Sequence, residues 1–551
     1  MSGLADIIVE RLRAAGTRAI FGVPGGGGNL DLIDAARIAN LPFVLTSTET
    51  GAAIAALAQA EVLGRPGACL TTLGPGAASV MNGVACARLE RAPILVVTDS
   101  HPADAQGRFL HQHVDQVALF APITKWSGRL MATDAAGTID RAFEELASLP
   151  PGPVHLDWPS DVQMTGAGVP SSGADGPPVT HQSSAIGRGL RAVSARFEAL
   201  LTRSRKPLLL VGLGARQPGD AEAIRLLCEH HLLPAVVTYK AKGVVPDAHA
   251  CFAGVFTNGA IERPLIEQAD LLIGIGLDPI ELLPRAWTFA PPIVAINRWR
   301  VADDHVPFAD QWIADVATAV AALDATMTAS DWDMDEVARI VHAQHRVLDI
   351  QTDGTGGMPA QRAIDVVADA LAATSRVTVD AGAHMFPATM RWPVSEPNGL
   401  LISNGLSTMG FALPAAIGAA WLGSRTTTET PAGQGPVVAL TGDGGLLMCA
   451  GELLTAAREK LRLIVIVFSD ASLSLIEIKQ QARRLSPAGV SIGAVNWASL
   501  AEGLGVAGFV ASSDDDLTRA IEQAVATDGP SLIEARIDPS NYGDMLKVLR
   551  G

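Results

Sequence analysis

Charged residues, cysteines and tyrosines are scarce in this sequence. Of its 551 residues, only 18% are charged and 48% are hydrophobic. This composition excludes a wholly disordered chain and favours buried parallel sheets flanked by alanine-rich helices. The formal net charge of −16 argues against a general binder of nucleic acids or anionic membranes, while leaving room for a local basic pocket for an anionic ligand.

The cysteines are few, odd in number and scattered, and most of them lie inside apolar runs. This distribution predicts reduced core cysteines in a cytoplasmic protein and not a disulfide framework. The segment Cys228-Glu229-His230-His231 lacks a second ligand pair at zinc spacing, so we interpret it as a helix end. The five cysteines are Cys69, Cys86, Cys228, Cys251 and Cys449.

Long apolar segments without polar interruption are also missing. The longest uncharged stretch, residues 400–423, contains Asn404, Ser407, Thr408 and Pro414. It therefore predicts a buried loop followed by a core helix, and not a membrane span. At the start of the chain, apolar residues recur at helical spacing with charged residues between them. That pattern predicts a surface amphipathic helix and no signal peptide.

The chain is too long for one hydrophobic core, so we expect two to four domains. Three blocks, residues 1–165, 188–330 and 358–551, each alternate strand-length apolar runs with helical patterns, which predicts parallel α/β sheets. Segment 165–184 is rich in Gly, Ser, Pro and Thr and predicts a linker, and the polar segment 424–435 predicts a surface loop. The expected strands are 68–72, 93–98, 207–211, 235–238, 271–275, 293–296, 376–379, 437–441, 463–468 and 531–535.

The strongest local motif is Gly442-Asp443-Gly444-Gly445, which follows one expected strand and precedes an expected helix at 452–458. Glycines let the backbone approach a phosphate, and amides at a helix start can hold it. Ligands of open parallel sheets bind at the carboxyl ends of strands, which is where this motif stands. By itself, the same pattern is also typical of an ordinary turn.

A second carboxylate, Asp470, stands at the end of the next expected strand. If the two strands are neighbours in a parallel sheet, Asp443 and Asp470 can share one cation, to which the main-chain carbonyl of Ser472 would add a third ligand. Carboxylate oxygens are the ligands that magnesium prefers, together with phosphate oxygens.

The segment from Gly442 to Ser472 resembles the thiamine-diphosphate fingerprint, which begins Gly-Asp-Gly and normally ends in Asn-Asn. Here Ser469-Asp470 stands at that end, so a carboxylate replaces a metal-binding amide and adds one negative charge beside the diphosphate. Other segments are similar to the acetolactate synthase, 2-oxo acid decarboxylase and benzaldehyde lyase group of this family. They are Phe21-Gly22-Val23-Pro24-Gly25, Thr48-Glu49-Thr50-Gly51-Ala52, Leu73-Gly74-Pro75-Gly76, Asn82-Gly83 and Gly405-Leu406-Ser407-Thr408-Met409-Gly410.

The resemblance implies three doubly wound parallel-sheet domains. In chain order they are a pyrimidine-binding domain, a middle domain and a diphosphate-binding domain. It implies that Glu49 hydrogen-bonds the cofactor's pyrimidine ring, that Met409 supports the bent cofactor, and that the Ser407 carbonyl accepts from its exocyclic amine. A helix N-terminal glutamate favoured by the dipole is the alternative for Glu49. The implied magnesium ligands are Asp443, Asp470 and Ser472. The implied cofactor contacts are Glu49, Ala383, His384, Ser407, Met409, Gly442, Asp443, Gly444, Gly445, Asp470, Ser472 and Leu473.

The glycine-rich segment Gly212-Leu213-Gly214 in the middle block opens like a dinucleotide-binding motif but lacks its third glycine. The family's arginine-rich flavin segment is also unmatched at Leu277-Asp278-Pro279-Ile280-Glu281. We therefore expect a middle domain without FAD.

Two further segments bear on the substrate. By resemblance, His111-Gln112 reaches the active site and contributes catalytic side chains, since histidine can shuttle protons near neutral pH. Surface residues near a helix start are the alternative. Glu477 and Lys479 match neither the decarboxylase nor the synthase pattern.

The sequence thus predicts a thiamine-diphosphate and magnesium dependent lyase or transferase that acts on a small 2-oxo acid as a decarboxylase or carboligase. The alternatives are a lyase of 2-hydroxy ketones or 2-hydroxyacyl thioesters, and a non-catalytic homologue that keeps the cofactor fold. By resemblance, Glu49 and the Asp443 cluster come from different subunits, so we expect a homodimer or homotetramer.

Overall fold

The fold is described from a computed structural model that covers residues 3–102, 105, 108, 110–162, 193–301, 304–352, 354, 356–425 and 435–551. The expected linker at 165–184 and most of the expected loop at 424–435 lie outside these residues.

The chain folds into two compact units that are each built from several segments. The first contains the described residues of Met1–Gln182, Leu406–Thr430 and Cys449–Leu463. The second contains those of Ser183–Gly405, Pro431–Met448 and Ile464–Gly551. Two short segments from the C-terminal third of the chain therefore belong to the unit that is formed mainly by its N-terminal third. The division into three domains at residues 1–165, 188–330 and 358–551 remains a prediction.

The first unit contains a six-stranded sheet in the order β2-β1-β3-β4-β6-β5, in which the strand pairs are parallel. Its strands are β1 Ile20–Val23, β2 Phe43–Leu45, β3 Gly67–Thr71, β4 Ile94–Ser100, β5 Trp126–Arg129 and β6 Val154–Pro159. The α-helices along this part of the chain are α1 Leu4–Ala14, α2 Gly28–Ile38, α3 Glu49–Leu63, α4 Pro75–Ser79, α5 Met81–Leu89, α6 Gln116–Phe120 and α7 Ala135–Ala147.

Helix α3 is buried along most of its length because small alanines line it on several sides. It packs against a helix from the C-terminal third, Ala412–Arg425. At this contact a β-carbon placed on Gly418 would lie 2.2 Å from the carbonyl oxygen of Ala55, so only glycine allows the two backbones to approach so closely. The helix that carries Glu49 is thereby fixed on a rigid scaffold.

The second unit contains two parallel sheets. The six-stranded sheet has the order β12-β11-β10-β7-β8-β9, and its strand β7 (Pro207–Val211) buries alternate residues in two different cores. Leu209 faces one core and Leu208 the other, as expected for a sheet covered on both faces. The remaining strands are β8 Ala235–Val237, β9 Phe252–Val255, β10 Leu271–Ile275, β11 Ile293–Asn297 and β12 Phe308–Ile313; the helices are α8 Ala195–Arg203, α9 Pro218–His231, α10 Arg263–Ile266, α11 Val316–Asp324 and α12 Met334–Arg346.

The other sheet of this unit has seven strands in the order β13-β19-β17-β16-β14-β15, with β18 paired to β19. Its strands are β13 Met358–Pro359, β14 Val377–Val379, β15 Leu400–Ile402, β16 Val437–Gly442, β17 Leu463–Ser469, β18 Ala507–Ala511 and β19 Ser531–Asp538. The helices in this part of the chain are α13 Ala360–Leu371, α14 Met385–Arg391, α15 Ala412–Arg425, α16 Asp443–Cys449, α17 Glu452–Arg458, α18 Ser474–Ala482, α19 Trp497–Gly503, α20 Asp514–Ala526 and α21 Tyr542–Arg550.

The predicted α/β class with three parallel sheets is confirmed. The N-terminal amphipathic helix is α1, the five cysteines are buried and free, and the segment at Cys228 ends helix α9 as expected. Within the described ranges, no helix is long and apolar enough to span a membrane.

Candidate active site

The carboxyl ends of β16 and β17 bring the two predicted aspartates together. The strands are neighbours in the sheet, and Asp443 and Asp470 directly follow them. The carboxylate of Asp443 accepts hydrogen bonds from the backbone N–H groups of Asp470 at 3.2 Å and Ala471 at 2.7 Å. The carboxylate of Asp470 accepts from the backbone of Ser472 at 3.1 Å and the hydroxyl of Ser474 at 2.5 Å. The two loops are therefore locked together by the aspartates themselves.

The electrostatics of this pair favour a bound cation. Burial, together with the negative charge of Asp443, raises the pKa of Asp470 to about 6. Burial also raises the pKa of Asp443, although backbone N–H groups oppose that shift. Two carboxylates that are held close in a partly buried loop repel each other, and a divalent cation between them would relieve the repulsion.

His384 supplies a further polar atom beside the same strand end. Its ring stacks on Phe468, with centroids 5.1 Å apart, and a β-carbon on Gly442 would lie 3.3 Å from it. Burial lowers the pKa of His384 to about 4, and its Nε2 is buried without a hydrogen-bond partner among the described residues. A buried ring nitrogen next to a glycine-lined strand end fits an oxygen of a diphosphate, whose charge would favour the protonated ring.

The Gly-Asp-Gly motif leads directly into a helix, α16, which starts at Asp443. The sequence did not indicate this helix before the expected one at 452–458. Gly445 lies in its first turn, where a β-carbon would be 2.3 Å from the carboxylate of Asp380. Ala383 is buried in the turn after β14, immediately before His384. The glycine at position 445 therefore lets the first turn of α16 pack directly against Asp380.

Ser472 and Leu473 complete the loop that follows Asp470. The Ser472 hydroxyl donates to the carboxylate of Glu477 at 2.7 Å, and the Leu473 N–H donates to the Val490 carbonyl at 2.8 Å. Ala471 has a φ of +57°, a left-handed backbone that is strained for a residue with a side chain and is typical of functional loops. Across the residues that the structure describes, no three His, Cys, Asp or Glu side chains form a metal cluster. A magnesium site here would thus use two carboxylates, a carbonyl and ligand oxygens.

Glu49 is in the first unit, as the first residue of α3. Its neighbour Thr48 caps the helix by accepting from the Gly51 N–H at 2.9 Å. A β-carbon on Gly76 would lie 3.2 Å from the Glu49 carboxylate, so the loop after β3 passes close to it. The predicted helix N-terminal position is correct, and it leaves the carboxylate half-buried beside a glycine loop.

A residue that the sequence did not indicate, Glu452, holds this turn. Its buried carboxylate accepts from the N–H and the hydroxyl of Thr48, both at 3.0 Å, and from the N–H of Ser47 at 3.2 Å. Ser47 and Glu452 are 405 positions apart in the chain. No local pattern reveals such a contact.

The segment with Ser407 and Met409 also belongs to the first unit. Ser407 has a φ of +54°, a left-handed backbone that favours glycine and is strained for a residue with a side chain. The side chain of Asn82 donates to the Thr408 hydroxyl at 2.8 Å, so two motifs from opposite parts of the chain meet. Met409 is half-buried.

His111 and Gln112 lie in an exposed loop of the first unit. The His111 carbonyl accepts from the ring of His101 at 2.8 Å. Gln112 has a φ of +56°, and its carbonyl packs so closely on Gly74 that a β-carbon there would be 2.4 Å away. The loop is therefore tied to the glycine turn near Glu49.

The predicted residues thus form two groups. Glu49, His111, Gln112, Ser407 and Met409 belong to the first unit, and the aspartates with Ala383, His384, the Gly442 turn, Ser472 and Leu473 belong to the second. Their assigned roles stay predictions.

The backbone N–H groups of the glycine turn at Gly212 to Gly214 all form hydrogen bonds within the protein. The N–H of Gly212 donates to the Ile275 carbonyl at 2.9 Å, and that of Gly214 to the Gly276 carbonyl at 2.9 Å. The N–H of Leu213 donates to the buried carboxyl of Glu281, also at 2.9 Å. The amides that a pyrophosphate would need already have partners.

Comparison with known proteins gives three family-model matches along the chain. The N-terminal thiamine pyrophosphate-binding domain of thiamine pyrophosphate enzymes matches residues 3–119, the central domain 195–323, and the C-terminal thiamine pyrophosphate-binding domain 380–535. The chain is similar to the catabolic acetolactate synthase of Raoultella terrigena, with 29% identity over 97% of this chain and 95% of the relative. It is also similar to the acetolactate synthase of Bacillus subtilis strain 168, with 28% identity over 99% and 97%. The large subunit of acetolactate synthase isozyme 1 of Escherichia coli K12 is 26% identical over 97% and 94%.

Proposed function

This chain belongs to the thiamine pyrophosphate enzyme family, and we propose that it is a carboligase acting on a 2-oxo acid. In the reaction, the bond to the carboxylate of one 2-oxo acid breaks with loss of carbon dioxide. A new carbon–carbon bond forms to the carbonyl of an acceptor, whose oxygen takes up a proton. Two relatives that are named acetolactate synthase match 97% and 99% of this chain, which supports this choice.

The observation that carries the proposal is the pair of interlocked aspartate loops. The Asp443 carboxylate accepts from the backbone N–H groups of Asp470 and Ala471 at the carboxyl ends of adjacent strands, near the buried His384 Nε2, which has no partner among the described residues. We propose that the aspartates and the Ser472 carbonyl hold magnesium, while His384 and the Gly442–Gly445 turn hold the diphosphate. Ala383 and Leu473 would line the same site.

Bound thiamine diphosphate supplies an acidic carbon that becomes a nucleophile and then an electron sink. Glu49 would hold a proton at its carboxyl oxygen against a pyrimidine nitrogen, with Met409 and the Ser407 carbonyl orienting the ring. His111 and Gln112 would hold or move protons at the substrate oxygens. Each of these roles follows from the family resemblance and from the position that each residue occupies.

We also propose that the middle sheet binds no flavin. The occupied amides of Gly212, Leu213 and Gly214 support this, because a buried pyrophosphate would lack donors. The same argument weakens the alternative of a lyase for 2-hydroxyacyl thioesters, which would use a nucleotide-containing acyl carrier. The other alternative, a lyase of 2-hydroxy ketones, is tested by measuring turnover on 2-hydroxy ketones in the experiment below.

The partner we propose is a small carbonyl compound, and the location we propose is the cytoplasm. The five free, buried cysteines support that location.

The test starts from the cofactor-free protein. Titration with thiamine diphosphate and magnesium is followed by turnover on a panel of 2-oxo acids, with carbon dioxide and the carboligation product both measured. We expect cofactor-dependent release of carbon dioxide coupled to product, and loss of turnover in Glu49→Gln with cofactor binding retained. Turnover confined to 2-hydroxy ketones would identify a lyase instead. Cofactor binding without turnover on either panel would identify a non-catalytic homologue.

We further infer that Glu49 and Asp443 of one active site come from different subunits of a homodimer or homotetramer. Light scattering gives the oligomeric state. Dissociating and reassociating a mixture of inactive Glu49→Gln and Asp443→Ala proteins gives mixed dimers in which one of the two sites is native. Random pairing restores up to about a quarter of the parent activity. If both residues come from the same subunit, the mixture stays inactive.

A further inference from the structure

The first unit contains a small recess at the carboxyl edge of its sheet, which we call the Ser100 recess. It is lined by Ser100 at the end of β4, Arg129 at the end of β5, and His101, Gln112, His113 and Gln116 from the connection after β4. The recess is open to solvent on one side, and its empty space is about 210 Å³ when the open mouth is counted. The carboxyl edge of a parallel sheet is where ligands bind in this class of fold.

The polar groups around the recess favour an anion. Arg129 pairs with the buried Asp157 carboxylate and has further N–H donors, and the Gln112 amide and Ser100 hydroxyl are also hydrogen-bond donors. The rings of His101 and His113 lie 6.2 Å apart, so both histidines face the same small volume. These donor types match a carboxylate, which accepts hydrogen bonds through both of its oxygens.

Ser100 provides an independent indication of a ligand. The residue is only 7% exposed, and its hydroxyl oxygen is buried without a hydrogen-bond partner among the described residues. A buried hydroxyl left unpaired costs about 1–3 kcal/mol, so proteins keep such groups mainly where a ligand or water completes them.

Hydrogen bonds hold part of the wall of the recess in place. The buried side chain of Gln116 accepts from the Gly74 N–H at 2.8 Å and donates to the Asp157 carboxylate at 2.8 Å. Asp157 in turn pairs with Arg129, which fixes the guanidinium at the recess. Gln112 adopts its left-handed backbone there, a strain that packed surroundings maintain. The Gln116 and Arg129 side chains are thus held in place at the recess.

We propose that the Ser100 recess binds the carboxylate of a small organic acid. This goes beyond the proposed carboligase activity, because it assigns a second anion site to the N-terminal unit and needs neither the diphosphate nor the aspartate loops. A short loop connects the recess to Glu49. Its first residue, Leu73, lines the recess, and Gly76 lies next to the Glu49 carboxylate. The bound acid is therefore either the substrate's own carboxylate or a separate small acid at a neighbouring site.

The test uses the full-length protein without cofactor and acetate as the probe. Line broadening of carboxyl-labelled acetate in carbon-13 NMR is measured at constant ionic strength, with acetamide as the uncharged analogue of the same shape. Ser100→Ala removes the unpaired hydroxyl at little risk to folding. Ser127→Ala is the matched control, because its hydroxyl contacts His155 at 2.7 Å and not the recess.

We expect the parent and Ser127→Ala to bind acetate, and Ser100→Ala to bind it about tenfold more weakly, as for one lost hydrogen bond to a charged group. His113→Asn should weaken binding as well. Equal binding by Ser100→Ala and the parent, equal binding of acetamide, or no acetate binding at all would overturn the proposal.

Kinetics of the cofactor-loaded enzyme then distinguish the two sources of the carboxylate. If the acid is the substrate, Ser100→Ala raises KM by a similar factor at unchanged kcat. If it is a separate acid, KM is unchanged and acetate alters the rate of the parent but not of the variant. Because the NMR test needs no turnover, it stands even if the proposed carboligase activity is wrong.

Discussion

The position of Glu49 depends on one buried carboxylate, that of Glu452. It accepts four hydrogen bonds, from the N–H of Ser47, the N–H and hydroxyl of Thr48, and the hydroxyl of Thr455 at 2.8 Å. Gly51 makes room for it, because a β-carbon there would lie 2.3 Å from the Glu452 oxygen. We predict that Glu452→Gln keeps the fold and slows activation of the cofactor.

The magnitude follows from the hydrogen bonds. A glutamine whose carbonyl oxygen takes the place of Oε1 keeps the two bonds from Thr48 and one contact from the Ser47 N–H. Its amide nitrogen then takes the place of Oε2, which accepts from the Thr455 hydroxyl and also from the Ser47 N–H. Bonds to a charged acceptor contribute about 1.5–3 kcal/mol and neutral ones about 0.5–1.5 kcal/mol. Weakening the two bonds from Thr48 and losing the bond from the Thr455 hydroxyl lowers the free energy of unfolding by about 3.5–6 kcal/mol.

The same bonds set the extended backbone of Thr48, from which α3 and Glu49 begin. A displacement of about 1 Å in a catalytic group can cost 100-fold in rate, so we expect proton–deuterium exchange at C2 of bound thiamine diphosphate to fall about 10- to 100-fold. Cofactor affinity should stay within about threefold, because the residues proposed to hold magnesium and the diphosphate are untouched.

The assay is quenched exchange followed by NMR, with the free energy of unfolding measured on the same samples. The matched control is Glu522→Gln, which makes the same change at an exposed site on α20 and should alter neither quantity. Exchange at the parent rate in Glu452→Gln, together with a slow rate in Glu49→Gln, would show that Glu452 only stabilises the fold.

Three further predictions concern the other sites. Asp443→Ala and Asp470→Ala should weaken calorimetric binding of thiamine diphosphate and magnesium, whereas Asp470→Asn, which restores the usual family residue, should bind at least as well as the parent. Burial raises the pKa of Glu281 to about 8, so between about pH 4.5 and pH 8 the folded protein keeps a proton that the unfolded chain loses. The free energy of unfolding should therefore fall by about 1.4 kcal/mol for each pH unit of increase in this range. Glu281→Gln should remove this pH dependence in denaturant titrations. The purified protein should be colourless, and stoichiometric FAD released on denaturation would contradict the account of the Gly212 turn.

Much of the fold follows from the sequence because buried parallel strands are continuous apolar runs bounded by glycine or proline. The strand expected at 463–468 is β17, Leu463–Ser469, and the helix expected at 452–458 is α17, with the same bounds. The aspartate pair follows for the same reason, since parallel neighbours end at one edge of a sheet. The start of α16 at Asp443 does not follow, because two glycines in its first turn disfavour a helix locally and only the surrounding packing overrides them.

The residues that escaped prediction share a physical cause. Glu452 acts on a turn 405 positions away, and the Ser100 hydroxyl is distinguished only by what it fails to contact. Neither property produces a periodic pattern or a characteristic residue spacing in the sequence. Both depend on how segments remote in sequence pack together, whereas the predicted residues stand at strand ends, whose place in the sheet is fixed by local pattern and parallel topology. Residues at strand ends can therefore be predicted from such a sequence, whereas residues that matter through contacts between remote segments require the fold.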